Sequence, residues 1–209
     1  MNGTDDERRN ECPDANPTKG AYGPWAMITL AGRLVDPLSM GPEDVDILHI
    51  ARALATVCHF KGTPLGFYSV AQHSVEVSYA VPAADALWGL CHDAAEAYLG
   101  DVPGPAKFRL PDYLQAEAQV MAAVKAAFGL GPEPKSVKRA DANCTAAEGA
   151  TFWPGSDHAL WLQVAATCPS EWRMPRVLLD WRQAERVFLA RFAELKQHPL
   201  DPVALAGWR

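Results

Sequence analysis

Apolar positions recur at helical spacing along most of this chain. After Pro42-Glu43-Asp44, a favourable first turn, Ile47, Ile50, Leu54 and Val57 fall three to four residues apart and predict a helix. Gly62 to Gly66 interrupt the pattern, which resumes from Ser69 to about Ala80 and stops ahead of Pro82. A third helix is predicted over about Ala83 to Leu99, ending at Gly100, a natural helix C-terminal residue. Pro111 to Phe128 predicts a long amphipathic helix with Leu114, Ala118, Met121, Val124 and Phe128 on one stripe. Lys135 to about Phe152 predicts another, and Leu178 to Leu195 a closing one. β-formers on either side of Ala31-Gly32 predict a short hairpin within Trp25 to Leu38 (WAMITLAGRLVDPL). Residues 154–179 mix Pro, Gly and Trp and predict no element, while Trp153, Trp161, Trp172 and Trp181 suit core or subunit contacts. The predicted fold class is all-α, a compact helical bundle with a short N-terminal β-hairpin. It forms one domain over 25–197, between a polar, mobile lead-in (1–24) and a loose tail (198–209).

Composition narrows the function. The 209 residues fit one domain, and 49% hydrophobic with 21% charged residues is ordinary for a folded globule. With 19 Lys plus Arg against 25 Asp plus Glu the net charge is -6, which argues against coating polymeric nucleic acid but not against a small phosphorylated substrate. Five cysteines are scattered singly (Cys12, Cys58, Cys91, Cys144, Cys168), so buried thiols in a reducing cytoplasm are expected rather than a disulfide framework or a cysteine zinc cluster. The start, MNGTDDERRNE, has no apolar signal core. No stretch approaches the ~18–20 apolar residues that a membrane helix requires. A soluble, cytoplasmic protein with no membrane partner is the expectation.

Candidate chemistry concentrates in Leu90-Cys91-His92-Asp93-Ala94-Ala95-Glu96. At helical spacing His92 and Glu96 share one side, as do Asp93 and Glu96, while Leu87, Trp88, Leu90 and Cys91 make the preceding turn strongly apolar. Ionisable groups in a buried helix are costly unless they are paired, hydrogen-bonded or bound to a metal. An isolated His-Asp pair is more often a solvated surface feature, but His73 on the preceding helix and Asp141 on a later one change that reading. Two imidazoles and two carboxylates form a mixed nitrogen and oxygen set that suits a divalent ion such as Mn, Co, Zn, Fe or Mg. His49 has a packing role as its simplest reading, and His158 and His198 show no partners.

The segments YSVAQHS, LCHDAAEAYLGDVPGPAK and KRADANCTAAE resemble the HD-domain phosphohydrolases. The closest branch is that of the bacterial 5′-deoxynucleotidases and phage-type dATP triphosphohydrolases. The resemblance runs from about Trp25 to Leu195, and the Gly100-Asp101-x-Pro103 extension narrows it to that branch. It implies a helical HD-domain bundle, a homo-oligomer, and metal ligation by His73, His92, Asp93 and Asp141. It implies that Glu96 orients or activates water, with Asp101 as a second carboxylate near the attacked phosphorus. Lys107 and Lys138 match phosphate-binding lysines of the triphosphohydrolases. The family usually carries an Arg followed by an aromatic residue after its first core helix, whereas this chain has Cys58-His59-Phe60. His59 therefore stands where Arg is expected, and either His59 or nearby Arg52 or Lys61 takes the substrate contact. Phe60 offers an aromatic face for a base, with Trp25 near it, although core packing suits Phe60 at least as well.

The expected activity is release of deoxynucleoside and triphosphate from a dNTP, with dATP preferred. A 5′-deoxynucleotidase acting on monophosphates is the alternative within the class. A nucleotide sensor that binds without turnover is the alternative outside it, and the water-activating carboxylates Glu96 and Asp101 speak against that. A purely structural helical bundle would bind no metal.

Overall fold

The computed structural model describes residues 26–153 and 177–197. The lead-in 1–24, Trp25, Cys12, Cys168, His158, Trp161, Trp172 and the tail from His198 lie outside the described residues. The described chain is mostly helical, with one short antiparallel hairpin near its start. β1 (Met27–Ile28) pairs with β2 (Leu34–Val35) in the register Met27 to Val35 and Ile28 to Leu34. Gly32 turns that hairpin at φ +73, a conformation that costs a residue with a Cβ. The hairpin is tied to the bundle where the Leu30 backbone N–H donates to His49 Nδ1 at 3.1 Å, which gives His49 the packing role expected of it.

Helices α1 (Ile47–Thr56), α2 (Val70–Ala80) and α3 (Ala86–Cys91) follow, then two single turns, α4 (Glu96–Leu99) and α5 (Gly104–Lys107). The long α6 (Pro111–Phe128) and α7 (Lys135–Phe152) match the predicted spans, and α8 (Trp181–Lys196) closes the described chain. Side chains that accept from helix N–H groups set the starts: Asp46 caps α1, Ser69 caps α2, and Asp180 with Gln183 forms a capping box on α8. That box explains why α8 starts later than the apolar pattern from Leu178 predicts. Gly129, at φ +70, ends α6.

Helix α2 runs through the centre. Its residues Val70 to Val75, and Val77 and Ser78, are all buried. On one side Val70, Ala71 and Val75 join Ile50, Leu54, Leu90, Val120, Val124, Phe188 and Phe192 in the main core. On the other, Val77 and Val81 pack with Trp88, Val137, Ala140 and Cys144 between α3 and α7. Helix α8 lies against α1, α2 and α3. Burying most of a helix strands its polar groups unless partners reach in. Here Gln72 exchanges hydrogen bonds with the Val177 carbonyl and Leu179 N–H, and Ser78 donates to the Ala86 carbonyl while accepting from Arg191.

Two expectations are corrected. The helix predicted over 83–99 is broken: residues 92–95 are turns between α3 and α4. The buried face of α6 is Ala116, Val120, Ala123 and Val124. Leu114 and Ala118 of the expected stripe are exposed, while Met121 and Phe128 are half-buried against the core. Helix α6 packs chiefly against the single turns α4 and α5 and the turn at Pro42–Asp44 rather than along a long helix, so the contact line shifts around α6. Among the described residues no helix is long and apolar enough to cross a membrane.

The crossing of α2 and α3 is close because Gly89 has no side chain. A Cβ there would lie 3.0 Å from the Ser78 Cα and 3.1 Å from the Val77 carbonyl oxygen, which are backbone atoms. This crossing sets the separation of His73 on α2 from His92 just beyond α3. Gly89→Ala is expected to destabilise the protein by about 1–3 kcal/mol through overpacking, read as a lower denaturant midpoint at unchanged slope.

Candidate metal centre

His73 projects from the middle of α2 and is fully buried. His92 and Asp93 follow the last residue of α3, where backbone hydrogen bonds tighten to the i→i+3 pattern: Ala94 to Cys91, Glu96 to Asp93, and Ala97 to Ala94. Such a tightened stretch inside a helical run re-aims side chains, and no Gly or Pro causes it here. Within it, His92 Nδ1 lies 2.8 Å from the Gly89 carbonyl oxygen. A carbonyl oxygen accepts, so Nδ1 carries a hydrogen and Nε2 is the nitrogen that faces the cluster. Asp141 arrives from α7.

The side chains converge. His73 Nε2 lies 3.1 Å from Asp141 Oδ1, His92 Nε2 lies 3.7 Å from the same oxygen, and His92 Nε2 is 3.1 Å from Asp93 Oδ2. One donor atom each from His73, His92 and Asp93 falls within 4.8 Å of the others, a spacing at which these groups can hold a metal ion. His92 Nε2 is buried, and the groups it meets are the carboxylates of Asp93 and Asp141. Imidazole nitrogen with carboxylate oxygen is the donor set of borderline divalent ions.

The electrostatics match. Burial opposes charge on His73, yet the Glu148 carboxylate and hydrogen bonds to Asp141 and Glu148 outweigh it and raise its pKa to about 10. Burial likewise opposes charge on His92, and Asp93 and Asp141 raise it well above the ordinary value. Asp141, pulled against its own burial by hydrogen bonds to His73 and His92, sits far below the usual carboxylate range. Glu96 goes the other way: burial, then the nearby charges of Asp93 and Asp101, push it up to about 9.

Around this centre stand the other sequence-derived candidates. Glu96 is buried, with Oε1 4.0 Å from Lys107 Nζ, and Lys107 is held more closely by Glu117 at 2.6 Å. Asp101 Oδ2 is 2.9 Å from Lys61 Nζ, which also donates to the Asp101 carbonyl. Arg52 is engaged by Glu185 and lies over the Trp181 ring. Phe60 is half-buried against the rings of Phe152 and Trp153. Two candidates turn elsewhere. Lys138 is 71% exposed and pairs with Glu133 at 3.2 Å, so its ammonium points along the surface of α7. His59 faces inward, stacked on His73 with ring centroids 4.4 Å apart.

Sequence reasoning assigned no role to Glu148, which proves to be central. It is fully buried on α7, 2.7 Å from His73 Nδ1, 2.7 Å from the Tyr68 hydroxyl and 3.2 Å from His59 Nε2. Its seven-residue spacing from Asp141 puts both acids on one helix face, the signal that was there to read. Lys61 and Glu117 were likewise given no firm role.

No protein-family model matches the chain. Over 120 residues it is 41% identical to the uncharacterized protein YfdR of Escherichia coli (strain K12), covering 54% of this chain and 67% of YfdR. The chain belongs to the YfdR family. It is also 36% identical over 127 residues to an uncharacterized protein of Rhodobacter capsulatus, covering 54% of this chain and 65% of that relative. This match spans less than two thirds of the Rhodobacter protein's length.

His73 and Glu96 each hold a proton in the folded, metal-free protein that they release on unfolding, because their pKa values rise from 6.5 to about 10 and from 4.5 to about 9. The His73 contribution is complete below pH 6.5 and is lost as pH rises through about 10, and that of Glu96 is lost across 4.5 to 9. Denaturant unfolding of the chelator-treated protein is therefore expected to show stability falling from pH 6.5 to 9. A flat or rising profile counts against this electrostatic picture.

Proposed function

We propose that this chain is an HD-type, metal-dependent phosphohydrolase acting on a small deoxynucleotide. The observation that carries the reading is the convergence of His73, His92, Asp93 and Asp141 from three separate parts of the chain on one buried cluster, in which His92 Nε2 meets both aspartates. The resemblance of the segments that hold these residues to the HD phosphohydrolases supplies the reaction class. These four residues would hold the ion, which when bound supplies an acidified water at neutral pH and a Lewis acid for a phosphoryl oxygen.

This chain's own residues do the rest. Glu96 is the general base: its carboxyl lies within electrostatic reach of Asp93 and Asp101, and its raised pKa makes it a strong proton acceptor once ionised. Asp101 is the second carboxylate, fixed by Lys61. Lys107 and Lys61 are ammonium groups beside Glu96 and Asp101, placed to neutralise phosphate oxygens as negative charge builds.

Hydrolysis of a deoxynucleoside triphosphate, dATP first, to deoxynucleoside and triphosphate is the reading that two such cations support. The second reading, a 5′-deoxynucleotidase, is favoured by Lys138. Its pairing with Glu133 at the surface removes one of the cations assigned to a longer phosphate chain. Assay of dNTPs and dNMPs side by side with Mn, Co or Mg, with chromatography of products, separates them. Triphosphate from a dNTP is expected. Inorganic phosphate from a dNMP, with no triphosphate, rejects the first reading, and no turnover of either rejects the class. Glu96→Gln is expected to lower kcat about 10²–10⁴-fold, the usual size of a general base contribution, while leaving metal content intact.

A further inference from the structure

Glu148 is a carboxylate with no exposed surface, and its two oxygens meet three polar groups. The Tyr68 hydroxyl donates to Oε1 at 2.7 Å, His73 Nδ1 lies 2.7 Å from the same oxygen, and His59 Nε2 lies 3.2 Å from Oε2. A carboxylate accepts, so His73 presents its Nδ1 hydrogen to Glu148 and turns Nε2 toward Asp141 and His92. The His59 ring lies over that of His73 at 4.4 Å and an interplanar angle of 18°, covering one face of it.

The backbone holds His59 in place. Its N–H donates to the Tyr68 carbonyl at 2.8 Å, and Cys58 bridges to Ser69, the cap of α2. The two residues after it, Phe60 and Lys61, both take the left-handed conformation (φ 51 and 58), which is unfavourable for residues with a Cβ. Strain of this kind persists where the surroundings over-determine it, and here it brings the chain sharply back after an inward-facing His59.

His59, His73 and Glu148 also bring donor atoms within 4.8 Å of one another, which raises the question of a second ion. The hydrogen-bonding favours support instead. Glu148 Oε1 is already shared by Tyr68 and His73, and an ion there would strip the Nδ1 hydrogen that orients His73. A histidine that ligates a metal commonly donates its other ring N–H to a carboxylate, which fixes its tautomer and raises its basicity.

We infer that Glu148 is a positioning residue of the metal centre, shared by His73 and His59, and that His59 belongs to this inner support rather than to the substrate contacts. The inference rests on the metal reading of the preceding subsection. The metal-free protein is titrated calorimetrically with Mn²⁺ as wild type, Glu148→Gln and His59→Gln, with circular dichroism and melting of each. Wild type binds an ion, and Glu148→Gln weakens its affinity about 10–100-fold at unchanged fold. His59→Gln shifts affinity the same way by less. In Zn²⁺-loaded wild type, ¹⁵N NMR shows the His73 hydrogen on Nδ1. If Glu148→Gln does not fold, the His59 variant and the tautomer still decide. Lower melting temperatures with unchanged Mn²⁺ affinity, or a hydrogen on His73 Nε2, overturn the inference and leave the metal reading standing. A wild type that binds no ion overturns both.

Discussion

Ionised groups in a helical interior are stable when each finds an opposite charge or a donor, and this protein places several of them around one buried helix. His73 on α2, His92 and Asp93 beyond α3, and Asp141 and Glu148 on α7 are arranged so that each imidazole lies against carboxylates. With both imidazoles protonated, the three carboxylates leave the group one negative charge in excess. Replacing the two protons by one dication leaves that charge unchanged. Such an exchange adds no net charge to the buried site, which is why the same geometry is compatible with a folded metal-free state and with metal uptake.

The helical framework was legible because its signals are local. The spans of α6 and α7 and the hairpin around Gly32 follow from periodicity and from turn and cap residues. The break at residues 92–95 was not legible, because Cys91-His92-Asp93-Ala94-Ala95-Glu96-Ala97 contains no breaker and suits a continuous helix. Packing of α3 against α2, α7 and α8, and of α4 against α1 and α6, overrides that propensity. The buried face of α6 was misplaced for a related reason: which stripe is covered depends on partners such as α4 and α5, which are themselves single turns.

The site divides the same way. Buried charge beside an apolar turn pointed to His92, Asp93 and Glu96, neighbouring helices to His73 and Asp141, and the family resemblance gave His73, His92, Asp93 and Asp141 as ligands. Glu148 escaped notice because an acid two turns along an alanine-rich helix looks solvated, and its burial depends on Tyr68 and His59, which are 80 and 89 positions earlier. Lys138 shows the reverse. Its position one turn before Asp141 puts it on the same side of α7 and suggests the site, yet the long side chain is exposed and Glu133 captures its ammonium.

Glu96 links the metal centre to the proposed chemistry. Between Asp93 and Asp101, and buried, it keeps its proton at neutral pH in the metal-free protein, a state in which it cannot serve as a base. Burial is the larger cause and Asp93 the next; a dication held by Asp93 and its neighbours would offset the Asp93 repulsion, and Lys107 already favours the ionised form. On the proposed reading Glu96 would become competent as a base only with the ion in place. On that same reading, ionised Glu96 would face the water, and Lys61 and Lys107 would exchange their carboxylate partners for phosphate oxygens.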